Sequence, residues 1–178
     1  MNTPFSPIQD TWAWQSRQIG WSLMGDPTAP VAVLLIHGFG ANTNHWRFNQ
    51  PVLAKLAPTY AIDLLGFGRS DQPRARLKQE PPDPTAVHYS FDLWGQQVAD
   101  FCREVIDKPV VLIGNSIGGV VALRAAQLLG PDQCKRVVLI DCAQRLMDDK
   151  QLATQPAWMG WIRPLLKTMV SQRWLSTA

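Results

Sequence analysis

One serine in this chain is framed by glycines in a pattern that suits a nucleophile. Gly114 and Gly118 stand two residues either side of Ser116, between an apolar run and a helical pattern. A serine at a sharp strand-to-helix turn has a strained backbone, and bulkier neighbours would clash there. The N-terminus of the following helix would supply N–H groups and a positive dipole end. The pattern favours an acyl-transfer nucleophile, and a serine that merely caps the helix is the alternative this pentapeptide leaves open.

Three more polar residues come directly after apolar runs, namely His37, Asp63 and Asp141. Such runs, rich in β-branched residues and bounded by turn signals, predict strands buried on both faces of a parallel sheet. Helical patterns alternate with them at intervals of roughly 30 residues. These residues and Ser116 should therefore meet at the carboxyl edge of a doubly wound sheet, where such folds bind ligands.

The elements that must position these residues follow from periodicity and turn signals. Alternation of apolar and polar residues within 12–24 predicts two short antiparallel strands at an edge of the sheet. Asn42 or Thr43 is a candidate cap for a helix, and Pro51 should break that helix into two pieces. A second helix should begin at Ser90, and a third should follow the serine turn.

Composition narrows the class of protein. The chain has 178 residues, of which 46% are apolar and 17% charged, and this predicts a globular domain with a real core. A net charge of only +3, with scattered cations, argues against nucleic-acid binding. Three cysteines without a C-x-x-C pair indicate reduced thiols and a cytoplasmic location. Residues 1–10 lack a signal-peptide pattern, and the apolar run 31–36 is too short to span a bilayer.

Three motifs in fixed order resemble the α/β-hydrolase superfamily. They occupy residues 37–40 (H-G-F-G), 63–70 (D-L-L-G-F-G-R-S) and 114–119 (G-N-S-I-G-G). The resemblance covers residues 12–143 and implies an α/β fold, a doubly wound and mostly parallel sheet of the α/β-hydrolase type.

The resemblance also divides the chain. Residues 1–143 would form the N-terminal part of the hydrolase core, and residues 144–178 the beginning of a helical cap. Two amphipathic helical pieces are indicated within 156–175, rich in tryptophan. They would be packed core helices, a lid over an apolar substrate pocket, or a peripheral contact with a membrane surface.

The resemblance implies a mechanism for Ser116. Its hydroxyl would attack an ester carbonyl, and the backbone N–H groups of Phe39 and Ile117 would form the oxyanion hole. Because haloalkane dehalogenases and epoxide hydrolases need an aspartate at the elbow, the serine argues against both. Neither a cofactor nor a metal is expected. The other motif residues would support the site structurally: His37, Gly38, Gly40, Gly114, Gly118 and Gly119.

The chain departs from the superfamily in its histidines. The triad order there is Ser, then Asp or Glu, then His, yet no histidine follows Ser116. None of His37, His45 and His88 matches the catalytic position; His45 should lie near the pocket and His88 in an exposed loop. Asp141 matches the place where some relatives carry the triad acid. We therefore expect the N-terminal part of a longer hydrolase, inactive and marginally folded by itself.

A narrower resemblance suggests a substrate. Residues 37–41, 45–46, 89–94 and 114–119 resemble plant and cyanobacterial pheophytinase and chlorophyll dephytylase, which hydrolyse phytyl esters. The function implied is a serine hydrolase of carboxylic esters, with an apolar small molecule such as a phytyl or other long-chain ester as substrate. Two alternatives stay open: a cofactor-free haloperoxidase or C–C hydrolase of the same fold, and a catalytically inactive fragment or binding module.

Overall fold

A six-stranded sheet forms the centre of the protein in a computed structural model that describes residues 6–76, 80–81, 83 and 85–142. The strand order is β1-β2-β4-β3-β5-β6. β1 and β2 are antiparallel to each other, β2 is antiparallel to β4, and β4, β3, β5 and β6 run parallel. This confirms the predicted mostly parallel α/β sheet with an antiparallel edge. The strands are β1 (Ile8–Trp14), β2 (Arg17–Met24), β3 (Ala32–Ile36), β4 (Thr59–Ile62), β5 (Val110–Asn115) and β6 (Cys134–Ile140).

The helices begin where their capping residues predict. Asn42 accepts a hydrogen bond from the Asn44 N–H at the start of a 3₁₀ helix, and Pro51 lies in the short helix that follows. Ser90 Oγ accepts from the Leu93 N–H at the start of the next helix. The helical segments are a 3₁₀ helix (Thr43–Trp46), α1 (Gln50–Leu53), α2 (Phe91–Phe101), which continues as a π-helical turn (Cys102–Ile106), and α3 (Ile117–Gln133).

β3 and β4 are buried on both faces, as their continuous apolar sequences require. The same burial was predicted for β6 and is wrong for the described residues: Val138, Leu139 and Ile140 are 42–43% exposed, because β6 is an edge strand of the described sheet. Residues of β3 point alternately to the two sides: Leu34 belongs to a large cluster with α2 and α3, and Leu35 to a smaller one with Trp46. All five residues of β3 are buried. This strand is the centre of the sheet, and its carboxyl end leads directly into His37.

Two boundaries differ from a simple sequence interpretation. β1 begins at Ile8, four residues before the alternating pattern, because the edge strand pairs with β2 along its whole length. α3 contains a kink at Gly130, whose φ of 72° is non-helical, and continues past Pro131 to Gln133. The glycine lets the chain turn within the helix without the strain a side chain would add.

The predicted cap, residues 144–178, lies outside the described residues, so the division of the chain at residue 143 stays a prediction. Within the described part of the chain, no helix has the length and apolar character needed to cross a membrane.

Candidate active site

Ser116 occupies a strained turn between β5 and α3. Its backbone angles are φ 55° and ψ −119°, a conformation that a serine rarely adopts. The Ser116 N–H donates to the carbonyl of Ile140 at 3.0 Å, and the Ser116 carbonyl accepts from the Gly119 N–H at 3.0 Å. The turn is therefore fixed to the end of β6 on one side and to the first turn of α3 on the other.

Glycines allow three backbone segments to converge beside this serine, because they have no side chain. A Cβ at Gly114 would overlap the Gly118 carbonyl, and a Cβ at Gly118 would lie 2.5 Å from the His37 carbonyl oxygen. A Cβ at Gly38 would lie 3.2 Å from the Cβ of Ser116. The glycines of the two motifs thus bring the loop after β3, the serine turn and the start of α3 into contact.

Phe39 lies at the tip of the loop after β3. The loop is closed by a hydrogen bond from the Ala41 N–H to the Gly38 carbonyl at 3.3 Å, and Gly40 has a φ of 70°. The Phe39 ring packs edge-on against Phe67, with centroids 5.4 Å apart, yet 44% of the residue is exposed. The loop that carries Phe39 therefore borders the serine turn and leaves an aromatic surface open beside it.

His37 is a buried structural histidine. Its Nε2 accepts from the Leu64 N–H at 3.0 Å, so the proton lies on Nδ1, which donates to the Gly38 carbonyl at 2.7 Å. Burial lowers the pKa of His37 below its usual value and keeps the ring neutral. Since both ring nitrogens are engaged, His37 has no nitrogen left to act as a base.

Asp63 ties the loop after β3 to the loop after β4. Its carboxylate is fully buried and accepts from the Thr43 N–H at 2.6 Å through Oδ1 and from the Arg69 N–H at 2.9 Å through Oδ2. The Arg69 guanidinium adds a longer contact of 3.8 Å. Asp63 therefore has a structural role that is common for carboxylates at strand ends: it accepts hydrogen bonds from the backbone of two neighbouring loops.

Two residues of α2 support the same region, and sequence reasoning missed one of them. Gln97 is fully buried; its Oε1 accepts from the Leu65 N–H at 2.9 Å, and its Nε2 donates to the Asp63 carbonyl at 3.2 Å. Trp94 Nε1 donates to the Leu65 carbonyl at 3.0 Å. The available signal was a glutamine on the apolar face of α2, one turn after Trp94, where only a hydrogen-bonded polar group is tolerated.

A second missed contact joins the 3₁₀ helix to the serine turn. The side-chain amide Nδ2 of Asn115, the residue before Ser116, lies 3.1 Å from Nε2 of His45. Both side chains are accessible to solvent. His45 was expected near the pocket, and this contact places it beside the serine turn.

The other two candidates lie apart from this cluster. His88 is exposed in the loop before α2, as predicted. Asp141 directly follows Ile140, the acceptor of the Ser116 N–H, and is exposed with a φ of 44°. Its assignment as a triad acid stays a prediction.

Comparisons with known proteins identify the family of this chain. Residues 31–168 match the family model described as alpha/beta hydrolase fold. The 1-acylglycerol-3-phosphate O-acyltransferase ABHD5 of Sus scrofa is 34% identical over 111 residues, 62% of this chain and 29% of that protein. The (Lyso)-N-acylphosphatidylethanolamine lipase of Bos taurus is 29% identical over 142 residues, 75% of this chain and 37% of that protein. The chain spans about a third of the length of these relatives.

Solved structures show the same fold. A membrane phospholipase A, a bacterial virulence factor, superposes with a TM-score of 0.65 at 27% identity, covering 82% of this chain and 43% of the other. The haloalkane dehalogenase DatA of Agrobacterium tumefaciens superposes with a TM-score of 0.68 at 21% identity, covering 91% of this chain and 49% of the other. At that identity the second likeness concerns the fold alone.

Proposed function

Because this chain belongs to the α/β-hydrolase fold family, we propose that the protein is a carboxylic-ester hydrolase with Ser116 as its nucleophile. One observation carries the proposal: the positive φ of Ser116, at the junction of β5 with the 17-residue helix α3. No helix-capping role requires that conformation, since capping residues have extended backbones. Strain of this kind is kept where it presents a side chain for function.

The surrounding backbone supports a specific reaction. Ser116 Oγ would attack the ester carbonyl carbon and lose its proton to a general base, while the carbonyl oxygen becomes an oxyanion. The N–H groups of Ile117 and Phe39 are the candidate donors to that oxyanion, because Gly38 brings the Phe39 loop against the serine turn. The alcohol then leaves with a proton, and water releases the acid. Each donor of this kind contributes about 3 kcal/mol to lowering the barrier.

The substrate we propose is an acyl ester of a glycerophospholipid. The two relatives and the phospholipase A are named for acylated glycerophospholipids or for their precursors. The exposed ring of Phe39 offers an apolar surface for an acyl chain. The phytyl ester implied by the narrower resemblance stays a prediction.

The general base is the part of the mechanism that the described residues do not supply. Both nitrogens of His37 are engaged, and Nε2 of His45 contacts the Asn115 amide. No histidine follows Ser116 in the chain. We therefore expect ester turnover by these 178 residues to be orders of magnitude slower than by a complete triad.

Covalent labelling tests the nucleophile directly. The 178-residue chain is treated with a fluorophosphonate, and modified peptides are identified by mass spectrometry. Because the described residues supply no general base, we expect the adduct to form slowly, though faster on Ser116 than on Ser90, and to be lost in Ser116→Ala. Ser90→Ala is the matched control, because Ser90 is also next to a helix N-terminus but has the extended backbone of an ordinary cap.

Two results would contradict the proposal. Labelling of Ser116 no faster than labelling of Ser90 would favour the alternative of an inactive binding module. Rapid ester turnover by the isolated chain would show that the base lies within it and that our account of His37 and His45 is wrong.

A further inference from the structure

An exposed apolar stripe runs along the helical turns that follow the 3₁₀ helix. Phe48, Val52 and Leu56 are 73%, 59% and 83% exposed. They are four residues apart, across turns that include a hydrogen bond from the Leu53 N–H to the Asn49 carbonyl at 3.0 Å. Side chains at this spacing lie on one side of a helical segment. We call these three residues the 48–56 stripe.

The opposite side of the same segment is anchored to the sheet. Trp46 is 2% exposed and packs in the smaller core cluster, against which Leu53 also packs. Gln50 is buried; its Nε2 donates to the Thr59 carbonyl at 2.9 Å, and its Oε1 accepts from Ser22 Oγ at 3.3 Å. Because these contacts fix the orientation of the segment, the 48–56 stripe cannot rotate inward to bury itself.

The charged residues within the segment that carries the 48–56 stripe have one sign. The Arg47 guanidinium lies 4.4 Å from the centroid of the Phe48 ring, and Lys55 is exposed next to Leu56. The sequence contains no Asp or Glu between Asp26 and Asp63. Apolar side chains flanked by long cationic ones match the boundary between acyl chains and phosphate headgroups, where Arg and Lys reach outward to the phosphates.

We propose that the 48–56 stripe docks the protein onto an anionic lipid surface. The stripe begins three residues after His45, which contacts Asn115 beside Ser116. Docking would therefore hold the serine turn close to the lipid. The 48–56 stripe is separate in sequence from residues 144–178, for which a membrane contact was predicted. The proposal goes beyond ester hydrolysis and does not depend on it, because binding requires no turnover.

Vesicle co-sedimentation of the full 178-residue chain tests the docking surface. We expect binding to phosphatidylcholine vesicles that contain phosphatidylglycerol, and weak binding to phosphatidylcholine alone. The triple variant F48S/V52S/L56S should lower the partition coefficient by about tenfold or more. The variant R47Q/K55Q should lower it by about fivefold for each charge removed and should reduce its salt dependence.

A matched control separates the stripe from general surface hydrophobicity. The variant I8S/L128S removes two exposed apolar side chains from β1 and α3, 61% and 44% exposed, and should bind vesicles like the unmodified chain. Circular dichroism melting of every variant checks that folding is retained. All substituted side chains in the stripe are mostly exposed, so their removal should leave the melting temperature nearly unchanged.

Four results would overturn the docking proposal: no vesicle binding, equal binding with and without phosphatidylglycerol, unchanged binding of F48S/V52S/L56S, or a dimer in light scattering that this variant dissociates. The last would show that a second copy covers the stripe. Ser116→Ala should bind vesicles normally. Vesicle binding without a fluorophosphonate adduct would refute only the hydrolase proposal, and an adduct without vesicle binding would refute only the docking.

Discussion

Replacing Asp63 by asparagine should destabilise the fold through the loss of one hydrogen bond to its buried carboxylate. Both carboxylate oxygens accept a backbone N–H, from Thr43 at 2.6 Å and from Arg69 at 2.9 Å, and the side chain is fully buried. Asparagine has a single side-chain oxygen, so its NH₂ group must face one of these two donors. Losing a hydrogen bond to a charged group costs about 1.5–3 kcal/mol. We expect the free energy of unfolding, from urea titration followed by tryptophan fluorescence, to fall by that amount.

Asp26→Asn is the matched control for this prediction. Asp26 also accepts two hydrogen bonds, from the N–H and the hydroxyl of Thr28, but both go to Oδ1. An asparagine oxygen can replace that single acceptor, and the site is exposed, so the change should stay within about 0.5 kcal/mol. Equal effects of the two substitutions would refute the reasoning that the geometry of both Asp63 oxygens holds the two loops together.

Three further measurements test the buried groups and the close backbone approach. Burial lowers the pKa of His37 in the folded chain below the value of about 6.5 that it has in the unfolded chain. The unfolded chain therefore binds more protons below pH 6.5, and the free energy of unfolding should fall as the pH drops, by up to about 1.4 kcal/mol per pH unit. The slope should be shallower in His37→Gln. Gly118→Ala should unfold at lower urea than Gly130→Ala, because its Cβ would meet the His37 carbonyl oxygen at 2.5 Å. The Cβ of Gly130→Ala meets nothing within 4 Å, and its cost is the backbone strain of about 1–3 kcal/mol that a side chain adds at φ 72° and ψ 175°. Similar midpoints would contradict the packing. Burial raises the pKa of Tyr89 to about 12 and also raises that of Tyr60, so phenolate absorbance should stay low in the folded chain at pH 10, and half-ionisation there would show exposed rings.

The architecture of the sheet was predictable from local sequence. The continuous apolar sequence of β3 predicted a strand buried on both faces, and the structure confirms it. The alternating sequence of β1 and β2 predicted an antiparallel edge of the sheet, which the structure also confirms. The helix caps at Asn42 and Ser90 were also predictable from the sequence, because a capping side chain accepts a hydrogen bond from a backbone N–H only two or three residues away. The early start of β1 was missed, since pairing with β2 extends an edge strand beyond its own pattern.

The sequence was enough to name the residues of the candidate site, but it could not predict their hydrogen-bond partners. The glycine spacing identified Ser116 and its loop neighbours from the sequence. The sequence could not show that Gln97 bridges Asp63 and Leu65, or that Asn115 contacts His45. These contacts join residues separated by about 30 to 70 positions, and nothing in the spacing of either partner encodes the other.

Ser116 shows where local sequence stops and tertiary structure begins. Its position at a strand-to-helix turn follows from neighbouring glycines and apolar runs, because steric limits on φ and ψ act within a few residues. Its surroundings depend on packing: the approach of Gly38, the engagement of both His37 nitrogens, and the hydrogen bond to Ile140 all arise where separate strands end at one edge of the sheet. Local sterics thus determine which residue is presented, and the three-dimensional arrangement of strand ends determines what surrounds it.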